Sequence, residues 1–552
     1  MKLRTGAIVL LGLASFLGIA SGCGVAAQRR DRPKLVVLVA VDQLRADLLD
    51  RYDSLFTGGF RRLRDHGRRF TGAMVEHAIT VSHPGHVTLA TGMTPARHGI
   101  VDAAFFEGPA GERRLVDALE DPAEKILGAP GQRGVSPAKI LSSTLPEWFV
   151  GADPAARAVA VGSGQYSSLL HAGHFRGDVY WYSIEAGRYV TSTYYRRAYP
   201  DWLERFNRED LPRFLQGCET WDNLVPEAAR GLARPDASPY EGDHVHTTFP
   251  HRILDVAPRE KFTDEGFRRR ARAYWIAVTP TLDDATLTLA ERSIESLSLG
   301  RRGATDCLSI VLSQTDDIGH AYGPLSQEQL DNLLRIDRRL GKFLSFLDQS
   351  VGEGRYLIAL SADHGAPDIP EHRIAAGERA RRIPAGEIQA LLDAAGALAA
   401  KSAQPPERLA EEIAGTLRRS PFVADAMTVG ELLGDGAVAD PFRRLYRNNV
   451  RADRIPRFPL FSLDHPEQGI GRYGVAVRLE EGAMIDFDAS IHGSPYDYDR
   501  HVPMIFLGPG VAPGSSDEPV GTFDLAPTLA ALAGVAFPSG LDGHVLMGSP
   551  GA

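Results

Sequence analysis

Cysteine is scarce: the chain has three in 552 residues. That excludes a disulfide-stapled scaffold, and also a structural zinc site built from thiolates. Cys307 sits inside the apolar run Cys307-Leu308-Ser309-Ile310-Val311-Leu312, so it and Cys218 are expected to be buried free thiols. An excess of positive charge is missing too. The formal net charge is -9, which argues against a nucleic-acid-binding surface. An acidic surface repels anionic substrates, so an enzyme acting on them must concentrate cations locally. Internal repeats and low-complexity tracts are absent, which excludes solenoid arrays. The N-terminal apolar stretch, Gly6 to Ala20, falls short of the ~20 residues that a membrane span needs.

What is present is ordinary globular material, 43% hydrophobic and 24% charged, enough for a large core. Lys2 and Arg4 ahead of the apolar stretch give it the form of a secretory signal. It ends in Ala20-Ser21-Gly22-Cys23, similar to a bacterial lipoprotein cleavage box, although Leu is more usual where Ala20 stands. The expectation is a signal peptide over 1–22, lipidation at Cys23 and a polar linker over 23–33. The protein is then exported, and is either periplasmic or anchored on the outer membrane by its lipid alone.

Leu35-Val36-Val37-Leu38-Val39-Ala40-Val41 is a continuous, β-branched apolar run ending at Asp42. Such runs form strands buried on both faces of a parallel sheet. Leu308 to Leu312 leads likewise to Asp316, and Tyr356 to Leu360 to Asp363. Further strands are expected at Ala158 to Val161 and Val502 to Leu507. Between them lie helical patterns, such as Leu330, Leu333, Leu334, Leu340, Leu344 and Leu347 behind a Ser326 cap. The alternation predicts an α/β fold, a doubly wound and mostly parallel sheet, with ligands bound outside the carboxyl ends of the strands. Two stretches break the pattern, about 175–275 (rich in aromatics) and about 370–485. Both are expected to be inserted caps within one catalytic domain over 34–545.

Asp42, Asp316, His320, Asp363, His364 and His492 are of metal-ligand type. Asp316 and His320, four apart after a strand, can serve one ion. Two zinc ions about 3.5–4 Å apart can stabilise both the attacking and the leaving oxygen of an in-line displacement. Thr80-Val81-Ser82-His83-Pro84-Gly85-His86 supplies a candidate catalytic nucleophile, Ser82. Pro84 suits a first helical turn, which puts Ser82 at a helix N-terminus, where free N–H groups favour phosphate and an alkoxide. The plainer reading makes Ser82 a helix cap and nothing more.

These residues, with Val41-Asp42-Gln43-Leu44-Arg45, Pro84-Gly85-His86, His98-Gly99-Ile100, Ser313-Gln314-Thr315-Asp316-Asp317-Ile318-Gly319-His320, Ala362-Asp363-His364-Gly365 and His492-Gly493-Ser494-Pro495-Tyr496, resemble the alkaline phosphatase superfamily. The similarity is to its type I phosphodiesterase/nucleotide pyrophosphatase branch, nearest the secreted bacterial alkaline phosphatases of that branch. The resemblance implies an alkaline-phosphatase-like fold and two Zn2+ ions. One would be held by Asp316, His320 and His492, the other by Asp42, Asp363, His364 and the Ser82 oxygen. It also implies a covalent phosphoserine at Ser82, where relatives usually carry Thr. His86, His98 and Arg45 match family positions as supporting residues rather than ligands.

The resemblance breaks at the phosphate clamp. Monoesterases of the branch carry an Asn where Ala103 stands, and a Lys-x-Arg pair that falls here on Gly164 and Tyr166. A monoester dianion needs that compensating charge more than a diester does. Gln165, Tyr166, His83 and Arg97 are the candidate substitutes. The expected function is a zinc-dependent hydrolase of small phosphoesters, leaning towards diesters. The alternatives are an alkaline phosphatase with a substitute clamp, and a metal-binding surface protein with weak catalysis.

Overall fold

The computed structural model describes residues 32–164, 167–243, 245–256, 261, 264–434, 439–462, 465 and 467–547. The expected signal peptide, Cys23 and nearly all of the linker lie outside them. Arg32–Ala552 cluster as one compact unit. Among the described residues, no helix is long and apolar enough to cross a membrane. Cys218 and Cys307 are free and buried.

The central sheet has ten strands. In chain order they are β1 (Leu35–Val41), β2 (Arg68–Met74), β3 (Ile126–Leu127), β4 (Ala158–Gly162) and β5 (Asp178–Ser183). There follow β6 (Arg188–Ser192), β7 (Asp306–Leu312), β8 (Tyr356–Ser361), β9 (Met504–Leu507) and β10 (Gly514–Gly521). Their order across the sheet is β10-β2-β9-β8-β1-β7-β4-β5-β6-β3. The middle five, β8 to β5, run parallel. Antiparallel strands join on both sides, β9 next to β8 and β6 next to β5.

The long apolar runs follow from this double-sided cover. Along β1, Leu35, Val37, Val39 and Val41 enter one core. Val36, Leu38 and Ala40 enter the other, across the sheet. Register then fixes the site. Val41 pairs with Leu312 and Ala40 with Ser361, so the chain leaves β1, β7 and β8 side by side, at the carboxyl edge, towards Asp42, Asp316 and Asp363.

The aromatic stretch needs one correction. Its first part is not an inserted cap: β5 and β6 are strands of the central sheet. Tyr180, Trp181, Tyr182 and Tyr189 are buried at 2 % exposure or less, so large rings here fill both faces of a strand. The later region holds a smaller core of its own, running from Ile383 through Ile413 and Val477 to Ile485.

Candidate active site

Four helices matter here: α1 (Ser82–Thr91), α2 (Ser167–Ala172), α3 (Gln314–Tyr322) and α4 (Gln327–Leu347). Ser82 is the first helical residue of α1, because Val81 occupies the cap position and makes no side-chain cap bond. The helix-cap reading of Ser82 therefore falls. Its Oγ lies instead 3.2 Å from His364 Nε2. Asp316 stands on the first turn of α3 and His320 on its last, rather than at the strand end itself.

The six candidate ligands fall into two groups. Asp316, His320 and His492 form one, and Asp42, Asp363 and His364 the other. His492 Nε2 is 3.3 Å from Asp316 Oδ1 and 3.2 Å from His320 Nε2. His364 Nε2 is 3.4 Å from Asp42 Oδ1 and 3.3 Å from Asp363 Oδ2. The rings of His364 and His492 stack at 3.7 Å, which puts the groups side by side.

Each of these imidazoles is oriented from behind. His320 Nδ1 donates to Ser490 O at 2.8 Å, His364 Nδ1 to Gly365 O at 3.0 Å, and His492 Nδ1 to Thr80 O at 2.7 Å. A carbonyl only accepts, so the proton sits on Nδ1 and each Nε2 lone pair faces the centre. His86 fills the supporting role expected of it. Its Nε2 is 3.3 Å from Asp42 Oδ2 and 3.4 Å from Asp363 Oδ2, and its Nδ1 meets the buried His171 at 3.2 Å.

Charge crowding marks the centre as cation-seeking. Burial, then the Asp316 charge, drives the Asp42 carboxyl well above the ordinary range. Burial, then the Asp42 charge, does the same to Asp363. Burial and Asp316 push Asp317 up to about 8. Asp42 Oδ1 and Asp363 Oδ2 are buried with no hydrogen-bond partner, a costly arrangement for carboxylates. A metal supplies what such oxygens lack, so the donor set fits metal ions.

Beside Ser82 opens a cavity of about 380 Å³. Its lining includes Trp181, Tyr182, Ile184, Tyr274, Asp316 and Asp317, and among the described residues no Lys or Arg lines it. Gly164 is in that wall. A Cβ there would fall 2.3 Å from Ser313 Oγ and 2.7 Å from Ser167 Oγ, so neighbouring serines already occupy the room a longer residue would need. Ala103 is half-buried and does not line the cavity. Gln165 and Tyr166 lie outside the described residues. Of the other candidate substitutes, His83 lines the cavity. Arg97 is bound elsewhere, to Asp542 at 2.8 Å and Gly540 O at 2.6 Å. Sequence reasoning gave no role to Asp317, Gln132 or Gln43. Gln43 and Asp317 stand within quoted motifs, whereas Gln132 carried no local signal.

Buried carboxylates without partners, facing imidazole lone pairs and a serine hydroxyl at a helix N-terminus, suit metal-assisted hydrolysis of phosphoric esters. The family model of the type I phosphodiesterase / nucleotide pyrophosphatase matches residues 36–424, and the chain belongs to that family. It is 28% identical to alkaline phosphatase PafA of Elizabethkingia meningoseptica, covering 93% of each chain. It is also 28% identical to alkaline phosphatase PhoV of Synechococcus elongatus, covering 93% of this chain and 92% of that one. The crystal structure of wild-type PafA superposes with a TM-score of 0.80 at 26% identity, covering 93% of this chain and 98% of PafA. A PafA mutant with one Thr changed to Ser, and one Asn, one Lys and one Arg changed to Ala, gives the same TM-score of 0.80 at 27% identity over the same shares.

Proposed function

We propose that this phosphoesterase works with two Zn2+ ions, through a phosphoserine at Ser82, and favours diesters over monoesters. Asp316, His320 and His492 would hold one ion, and Asp42, Asp363 and His364, with Ser82 Oγ, the other. Zinc, when bound, polarises phosphoryl oxygens and favours the deprotonated forms of a serine hydroxyl and of water. Ser82 Oγ attacks phosphorus, the bond to the leaving oxygen breaks, and the alcohol departs with a proton from solvent. Water then cleaves the Ser82–phosphorus bond, restoring the hydroxyl and releasing the product. The N–H groups at the start of α1 favour the anionic phosphoryl group throughout. The observation that carries this reading is Ser82 Oγ, 3.2 Å from His364, beside two orphaned carboxylate oxygens.

The cavity wall supports the diester preference. A monoester dianion brings one more charged oxygen, and the described wall offers it no cation. Losing a preorganised donor costs on the order of 10²–10³ in rate. At the positions where the family resemblance expects Thr, Asn, Lys and Arg, this chain has Ser82, Ala103, Gly164 and Tyr166. These are the residue types that the crystallised PafA mutant replaces. A second reading, a monoesterase with a substitute clamp, is favoured by the relatives, which are themselves alkaline phosphatases. We place the enzyme outside the cytoplasm, exported as a lipoprotein on Cys23.

The test is peptide mapping after brief exposure to an aryl phosphodiester, alongside metal analysis. Phosphate on Ser82 and two zinc ions per chain are expected. Phosphate on another side chain, or full turnover in a metal-stripped sample, would refute the assignment.

A further inference from the structure

Gln43 follows Asp42 directly and is 2 % exposed. Its φ is +62°, and among the described non-glycine residues only Ser298 shares a left-handed φ. A long side chain in that region is strained, and strain of this kind persists only where surrounding contacts outweigh it. Gln43 N–H donates to Asp363 Oδ1 at 3.3 Å, and Gln43 Nε2 donates to Asp316 Oδ1 at 2.6 Å. Asp363 belongs to one acid–imidazole group and Asp316 to the other.

The surroundings are shaped around this side chain. A Cβ on Gly319 would lie 1.8 Å from Gln43 Oε1. Gly319 stands on α3 between Asp316 and His320, so a larger residue there would expel the amide. The Asp316 carboxylate can only accept, so the NH2 end of the amide must face it. That leaves Gln43 Oε1 buried without a partner, a further cost. A backbone in the left-handed region, an orphaned carbonyl and a glycine cradle all accompany one pair of contacts.

We infer that Gln43 is a positioning residue that braces the two acid groups against each other. Its N–H occupies Asp363 Oδ1 and so leaves Oδ2, the oxygen 3.3 Å from His364 Nε2, to face the centre. Its amide pins Asp316 Oδ1, the oxygen that faces both His320 and His492. One residue, through its backbone N–H and its side-chain amide, thus sets the spacing between groups that must hold two ions about 3.5–4 Å apart. The inference rests on the two-cation reading above.

The test is calorimetric titration of Zn2+ into the metal-stripped full-length protein, comparing native, Gln43→Ala and Gln43→Gly. Gly adopts φ +62° freely, so Gln43→Gly keeps the turn and the N–H to Asp363, relieves the strain and removes only the amide that pins Asp316. Its metal-free melting temperature is expected to be no lower than native. Zinc affinity should fall about 10–100-fold in both variants, the usual effect of losing a ligand-orienting partner. kcat should fall with KM little changed. Native zinc affinity and native kcat in Gln43→Gly would overturn the brace, leaving Gln43 a turn residue. A native protein that binds fewer than two zinc ions would instead overturn the two-cation reading itself, whatever the variants do.

Discussion

The two sides of the cavity beside Ser82 are built differently. On the side of the acid–imidazole groups, His320, His364 and His492 are each oriented by a backbone carbonyl, and every carboxylate is buried or pinned. On the wall side, Gly164 offers no side chain, and the aromatic rings of Trp181 and Tyr182 on β5 and of Tyr274 on the helix Glu265–Ala277 line the space. Ligand geometry is over-determined by the sheet, since Asp42, Asp316 and Asp363 all follow neighbouring parallel strands. The wall is assembled from segments far apart in sequence, from Gln132 to Tyr274.

The largest effects are expected on the metal side. His492→Ala and Asp363→Ala should lose zinc and activity together, by well over the about 10–100-fold typical of an outer-sphere change. Metal analysis beside kcat checks this, and full activity in either variant would erase the distinction between the sides. Ser82→Ala should lower turnover by on the order of 10³-fold or more while zinc stays bound. Ser82→Thr should stay active, because it keeps the hydroxyl. Wall substitutions should act more mildly and through binding. Tyr274→Ala is expected to raise KM for an aryl diester roughly 2–10-fold, the range of one lost aromatic contact, with kcat nearly unchanged. A large kcat effect there would show that the wall takes part in the chemistry. The smallest catalytic effect is expected far from both sides. Asp337 accepts backbone N–H bonds from Thr57, Gly58 and Phe60 at 2.7–2.8 Å. Asp337→Ala should cost about 2–3 kcal/mol of stability, read by denaturant unfolding, and leave kcat of the folded enzyme as it was.

The same contrast governs what could be read before the fold was known. β1 spans the residues its apolar run predicts, because a strand covered on both faces must be apolar throughout. β7 and β8 were legible for the same reason. β2 (Arg-Arg-Phe-Thr-Gly-Ala-Met) and β10 carry the polar, Gly- and Pro-containing sequences of a sheet margin, and no pattern announced them. β5 and β6 were mistaken for part of an insertion because their bulk comes from Tyr and Trp rather than Val and Ile. The two ligand groups follow the resemblance, since motif order survives in the chain. Gln43 was visible as a motif letter, but its left-handed backbone and its two contacts exist only once β1, α3 and the loop after β8 meet. The cavity wall is of that kind throughout.

On the proposed function, a two-cation centre works here behind a wall without the monoester clamp. The most direct measurement is kcat/KM of the native protein on a matched aryl phosphate diester and monoester. A diester-to-monoester ratio well above that of relatives with the Lys-x-Arg pair is expected. A strong monoester preference would contradict it and show that another group supplies the missing charge.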